Sequence, residues 1–240
     1  MKNGIKIVCF ALMIGYASIL FSPAIVNADV LPVKMVTNPE ELKILKTRCE
    51  RVTEFDDSLA KKMDDLDDTL AAQEGGAGIA ANQVGYLFRA VVLYSGVKGE
   101  LIYKGDLVPD PEKDPRTKGK PLELINPEII HTSGEQMVVE GCFSIPSYVI
   151  IVRPKNIKLK AYDRNGLEFT FEVSEEIAKR QLNELKYFLF SAHLIFHECE
   201  HLDGILCSEK AKVTDISKDI TDAELSALFI RERQEFLASK

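Results

Sequence analysis

Residues 197–201 read His-Glu-Cys-Glu-His, and their spacing is the strongest chemical signal in the chain. On a helix, positions i and i+4 share one face, so His197 and His201 can present their rings to a single metal ion. Glu198, beside the first ligand, can then reach a water at that ion and act as a general base. The pattern requires a helix, and the flanks provide one. From Asn183 to Leu202, apolar residues recur at helical spacing with neither Gly nor Pro, and Gly204 follows where a helix can stop. Two surface histidines four apart by chance are the competing explanation. The leading expectation is metal-assisted hydrolysis.

A catalytic site of this kind usually takes three protein ligands and leaves one position to water. Four residues compete for the third place. His193 continues the series, but its Cα would lie ~12 Å from that of His201 at 1.5 Å rise per residue, which favours a packing or outer role. Glu224 stands where some zinc proteases place a carboxylate ligand. Yet Thr221-Asp222-Ala223-Glu224 also reads as a capping box opening the last helix, and that role is preferred. Cys207 follows Gly204 where metzincin-type proteases carry their third histidine, although Ile205-Leu206-Cys207 equally reads as a buried apolar run. Cys142, in Glu140-Gly141-Cys142-Phe143-Ser144-Ile145-Pro146, could approach from a separate segment and complete a Cys-His-His tripod.

Three segments, in order, resemble the motifs of peptide deformylases: Gly76-Ala77-Gly78-Ile79-Ala80-Ala81-Asn82-Gln83, Glu140-Gly141-Cys142-Phe143-Ser144 and His197-Glu198-Cys199-Glu200-His201. Each is weak alone; three in sequence are specific. The resemblance extends over residues 33–238. It implies that Cys142, His197 and His201 hold one divalent ion, Fe2+ most often in that family, with Zn2+, Ni2+ or Co2+ compatible with the same thiolate and imidazole donors. It implies Glu198 as the base, with the Gln83 side-chain amide and the Phe143 backbone N–H as oxyanion donors. The substrate would be an N-formylmethionyl peptide or nascent chain, cleaved to formate and a free amine. Gly76, Gly78, Ile79 and Gly141 would line the peptide. His193, with Phe143, Ile145, Phe190 and Leu194, would be candidates for an apolar methionine pocket. A secreted metalloprotease using Cys207 or Glu224, and a non-catalytic peptide-binding protein on the same scaffold, are the alternatives.

The chain departs from the family pattern at several points. Ile79 and Phe143 stand where Leu is usual, Glu200 replaces a common Asp, and Phe196 stands where Gln often precedes the first histidine. Val149 lies where many members have an arginine near the substrate. Val108–Lys120 and Ser174–Phe190 look longer than the family core. None of these removes a catalytic atom; substrate preference is what they touch.

The elements that must position these residues can be read from pattern. Asn38-Pro39 reads as an N-cap with proline at the first helical position. Residues 56–73 carry Leu59, Met63, Leu66 and Leu70 on one helical face. Strands are expected at Arg89–Tyr94, Leu122–Ile125, Val149–Val152, Ile157–Tyr162 and Leu167–Val173, with Asp163-Arg164-Asn165-Gly166 as a hairpin turn. Pro109–Lys120, with three prolines and many charges, reads as a surface loop. The order predicts one α+β domain, antiparallel sheets around the metal-binding helix, closed by a C-terminal helix.

Composition is that of an ordinary globular protein, 46% hydrophobic and 28% charged, with a net charge of −7. That acidity argues against a nucleic-acid partner, whose binding depends on neutralising phosphates. The N-terminus differs from the rest. Lys2 and Lys6 precede the apolar run Ile7–Phe21, then Pro23 and Val26-Asn27-Ala28, the order of a secretory signal with a small-residue cleavage site. Residues 1–28 are therefore expected to be a signal peptide or anchor, with membrane contact through residues 7–21, and residues 29–240 the catalytic domain. The expected location is exported or membrane-tethered, with a cytoplasmic enzyme as the alternative, and the expected state is a monomer. No disulfide framework is read from the cysteines. Cys142 is assigned to metal, Cys199 lies on the metal helix, and export would favour a redox-inert ion such as Zn2+.

Overall fold

The computed structural model describes residues 29–94, 96–103, 106–108, 120–180 and 185–239. The signal-like segment 1–28 and most of the proline-rich loop lie outside the described residues. Two short runs of chain lead into the first sheet. Helix α1 (Pro39–Leu45) opens as its sequence requires, the Asn38 side chain accepting hydrogen bonds from the N–H groups of Glu40 and Glu41. Helix α2 (Asp57–Ala72) is capped by Asp56, which accepts from Leu59 N–H, and it buries Leu59, Met63, Leu66 and Leu70. That stripe is the one the spacing predicts.

A seven-stranded sheet follows. It contains β1 (Gly78–Ala80), β2 (Ala90–Leu93), β3 (Glu100–Tyr103), β4 (Asp106–Val108), β5 (Leu122–Ser133), β8 (Asn156–Tyr162) and β9 (Glu168–Val173), in the spatial order β1-β2-β5-β8-β9-β3-β4, every neighbouring pair antiparallel. Between β5 and β8 the chain builds a second sheet from β6 (Gln136–Gly141) and β7 (Ser147–Arg153), joined later by β10 (Val213–Ser217) in the order β10-β7-β6. Helix α3 (Glu175–Arg180) and the long helix α4 (Leu185–His201) come next, then α5 (Cys207–Lys210) and the C-terminal helix α6 (Asp222–Ala238). This is the expected α+β arrangement. No helix among the described residues is long and apolar enough to cross a membrane.

Side-chain alternation explains the layering. In β2, Ala90 and Val92 face α2, while Val91 and Leu93 face α4, so the run Ala-Val-Val-Leu is apolar on both sides because both faces are covered. In β9, Phe169, Phe171 and Val173 point towards α3 and α4. The smaller sheet is also covered twice. Cys142, Val149 and Ile151 pack with Leu45, Leu206 and Cys207 on one face, and Ile150 and Met137 pack with Leu225, Leu228 and Phe229 of α6 on the other. Helix α4 thus sits between the large sheet and the loops that leave the small one.

Strand β5 is longer than expected. The expected strand stops at Ile125, yet the chain continues through Asn126 and Pro127 to Ser133 by way of a bulge. Asn126 takes φ 52°, and the pairing with β8 shifts register between Ile125 and Glu128. The Asn126 side chain stabilises the kink by bonding both the N–H and the C=O of Val52 at 2.8 Å. A proline inside a sheet is tolerated at such a bulge. Strands β1, β3, β4, β6 and β10 also lie outside the expected set.

Candidate metal centre

Helix α4 places His197 and His201 one turn apart, and their Nε2 atoms come within 3.2 Å of each other. Gly204, at φ 70°, ends the helix just beyond them, and a Cβ there would fall 2.3 Å from the Lys46 carbonyl oxygen, so no other residue fits without movement. Asn82 secures the same end by donating to the carbonyls of His201 at 2.6 Å and Leu45 at 3.2 Å. Cys142 arrives from the turn after β6, its Sγ 3.3 Å from His201 Nε2. The donor atoms of Cys142, His197 and His201 all lie within 4.8 Å of one another, and all three residues are buried.

The sequence leaves the third ligand open, and geometry separates the candidates. Cys207, at the start of α5, groups with Glu140 and His197 and not with His201. Glu224 is exposed and caps α6, its carboxylate accepting from Thr221 N–H at 3.1 Å. His193 lies one turn earlier on α4, with Nδ1 at 3.2 Å from the Leu189 carbonyl and its ring edge-on to Phe190. Burial pushes His193 down to about 4, so it is neutral at ordinary pH. Among the described residues, Cys142 is the thiol that meets both histidines.

The electrostatics suit a cation. Burial alone would raise the Cys142 thiol, but the facing rings of His201 and His197 pull it well below its ordinary value, towards thiolate. Burial instead raises Cys207, and pushes Cys199 up to about 12 and Cys49 to about 11, leaving these as thiols. All four described cysteines are free. His201 Nδ1 and Glu198 Oε2 are buried with no hydrogen-bond partner, and buried polar atoms rarely stay so. Burial raises the Glu198 carboxyl to about 7.

Around the ligands runs a buried ionic chain that the sequence reading passes over. His197 Nδ1–H donates to Glu140 at 2.9 Å, which directs Nε2 towards the cluster. Glu140 is gripped by Arg153 through two bonds of 2.8 Å; burial would raise it, but Arg153 and His197 hold it well below the usual carboxylate range. Arg153 also donates to Glu200 at 2.5 Å, and Lys210 closes the chain at the surface, 2.6 Å from Glu200. The available signal is Arg153 itself, a cation ending the apolar strand Tyr-Val-Ile-Ile-Val, which must find partners if it is buried.

The remaining expected residues fall close by. Gln83, in the short 3-10 turn after β1, donates to Cys142 Sγ at 3.5 Å and to Ser144 Oγ at 3.2 Å, while its Oε1 accepts from Ala80 N–H. A Cβ on Gly78 would lie 2.8 Å from Glu198 Oε1, so the missing side chain is what lets α4 bring its carboxylate against β1. A Cβ on Gly76 would meet the Phe143 ring at 3.0 Å, and one on Gly141 the Tyr148 ring at 3.0 Å. The Ile79 side chain is fully buried against α2, so it can offer a peptide its backbone alone. Val149 is likewise buried, and presents nothing to a ligand.

Comparison with known proteins points to one family. The family model described as polypeptide deformylase matches residues 32–216. The chain is 36% identical to peptide deformylase 1 of Bacillus subtilis over 80% of its own length and 95% of that protein. It is 38% identical to the peptide deformylase of Lachnoclostridium phytofermentans over 67% of its length and 77% of that protein. The crystal structure of peptide deformylase from Thermotoga maritima superposes with a TM-score of 0.56 at 26% identity, covering 77% of this chain and 99% of that one.

Proposed function

The chain belongs to the polypeptide deformylase family, and from that premise we propose how its buried cluster removes the formyl group from N-formyl peptides. It is a metal-dependent amidase whose products are formate and a free N-terminal amine. The observation that carries the assignment is the convergence of one thiol and two imidazoles, from separate segments, within 4.8 Å.

Cys142, His197 and His201 would hold a divalent cation; their burial, the thiolate direction of Cys142 and the approach of its Sγ and the two Nε2 atoms to one another all fit one. Such a cation, when bound, activates a water and polarises the formyl oxygen. Glu198, with Oε2 free and Oε1 against β1, accepts a proton from the attacking water. Water oxygen bonds to the formyl carbon, the C–N bond breaks, and Glu198 returns the proton to the departing nitrogen. The Gln83 amide and the Phe143 N–H donate to the oxygen that gains charge, and loss of one such donor typically costs ~10²–10³ in rate. Glu140 holds the His197 tautomer through Nδ1.

The finer reading takes formyl-methionyl peptides and nascent chains as substrates. It takes Fe2+ or Zn2+ as the resident ion, and export directed by residues 1–28. The n-, h- and c-region order of that segment supports export. A formate-release assay with formyl-Met peptide under anaerobic conditions, with metal content measured on the same sample, tests the function. Turnover that scales with bound metal is expected; full metal loading without formate would overturn it. Iron in protein isolated from its native compartment would count against the zinc version.

A further inference from the structure

The Lys218 ammonium donates a hydrogen bond of 3.3 Å to the carbonyl oxygen of Cys142. That carbonyl shares a peptide unit with the N–H of Phe143, the oxyanion donor assigned above. The unit is planar and trans, so oxygen and N–H point to opposite sides, and fixing one fixes the other. A cation on the oxygen also polarises the amide, strengthening its N–H as a donor. The Cys142 oxygen meets a second donor, Ile145 N–H, at the longer distance of 3.4 Å.

Lys218 is exposed, but the backbone that presents it is fixed. It follows β10, whose Ser217 pairs with Ser147 of β7, and Ser217 accepts from Asp219 N–H at 3.1 Å and Ile220 N–H at 3.2 Å. The lysine therefore extends from a pinned turn of the small sheet onto the loop carrying the thiol ligand. It lies two positions beyond the residues that the family model matches.

We propose that Lys218 is a positioning residue for deformylation, holding the Cys142–Phe143 peptide so that the Phe143 N–H faces the developing oxyanion. This rests on the function proposed above. The test compares Lys218→Met, which keeps the aliphatic stem, with Lys218→Arg. The expected result for Lys218→Met is a kcat lower by about tenfold, less than the ~10²–10³ for losing a whole donor, with KM and metal content within twofold of wild type. Lys218→Arg should recover most of the rate. The Phe143 backbone amide, followed by 15N–1H NMR in metal-free and zinc-loaded protein, should move upfield in Lys218→Met and return in Lys218→Arg. An unchanged kcat, an unmoved Phe143 amide, or an arginine variant as impaired as methionine would each overturn the role. No formate from the wild-type enzyme would overturn the functional reading and the lysine's part in it, and the amide response would still be read independently.

Discussion

Cys142 and Cys207 both lie beside His197, yet they belong to different chemistry. The first also meets His201 and tends towards thiolate; the second faces Glu140 and stays protonated. Cys142→Ala should therefore abolish stoichiometric metal binding, whereas Cys207→Ala should retain it, as elemental analysis of the purified variants would read. Gly78→Ala probes the base from its other side. The added methyl must displace the Glu198 carboxylate or Leu93, so formate release should fall by at least ~10-fold and by no more than the ~10²–10⁴ that a general base typically contributes, while metal stays bound. The two histidines are legible because helical spacing is local, and the thiol only because its motif stands in order with two others. The Arg153 grip on Glu140 is not, since it depends on which way two strands turn their side chains, a matter settled only when the sheet closes on α4.

At the scale of elements, the ionic chain and the bulge decide what holds the frame. Arg153→Met leaves the Glu140 and Glu200 carboxylates facing each other without their shared cation. Breaking one member of such a buried set typically costs about 3–5 kcal/mol, and chemical denaturation should show it. A second lock joins the β8–β9 hairpin to α2, where Arg164 meets Asp64 at 2.7 Å, Asp67 at 3.4 Å, and Glu123 of β5. Burial, with the Glu123 charge next, raises Asp67 to about 8. A carboxyl raised on folding keeps a proton that the unfolded chain releases near 3.8, so its contribution is complete below that value and disappears as pH climbs through about 8. Asp67→Asn should match wild type in thermal midpoint near pH 4 and exceed it near pH 9. Helices α2 and α4 and the alternating strand β9 were legible from periodicity, and α6 from its capping box. The second half of β5 was not, because Asn126-Pro127 is a break by propensity and becomes a bulge only when Val52 supplies its partners.

Over the whole molecule, the entry segment before α1 does more than lead into the fold. Lys34 N–H donates to the Gln83 carbonyl at 2.7 Å and Val36 N–H to the Ser144 carbonyl at 3.0 Å, so this strap crosses both loops that flank the thiol. A chain beginning at Asp29 should match the full chain in metal content and thermal midpoint. One beginning at Thr37 should lose stability and formate release together. Composition announces a single core, but not that it divides into layers on each side of two sheets; that follows from β2 and β7 being apolar on both faces. Cys142 rides with the smaller sheet, and the histidines with the helix lining the larger one. An ion seated between them is a rivet through two plates. Chelation should accordingly loosen the joint before it melts either plate, seen as faster amide exchange along the Gln136–Arg153 hairpin while β8 and β9 keep their protection.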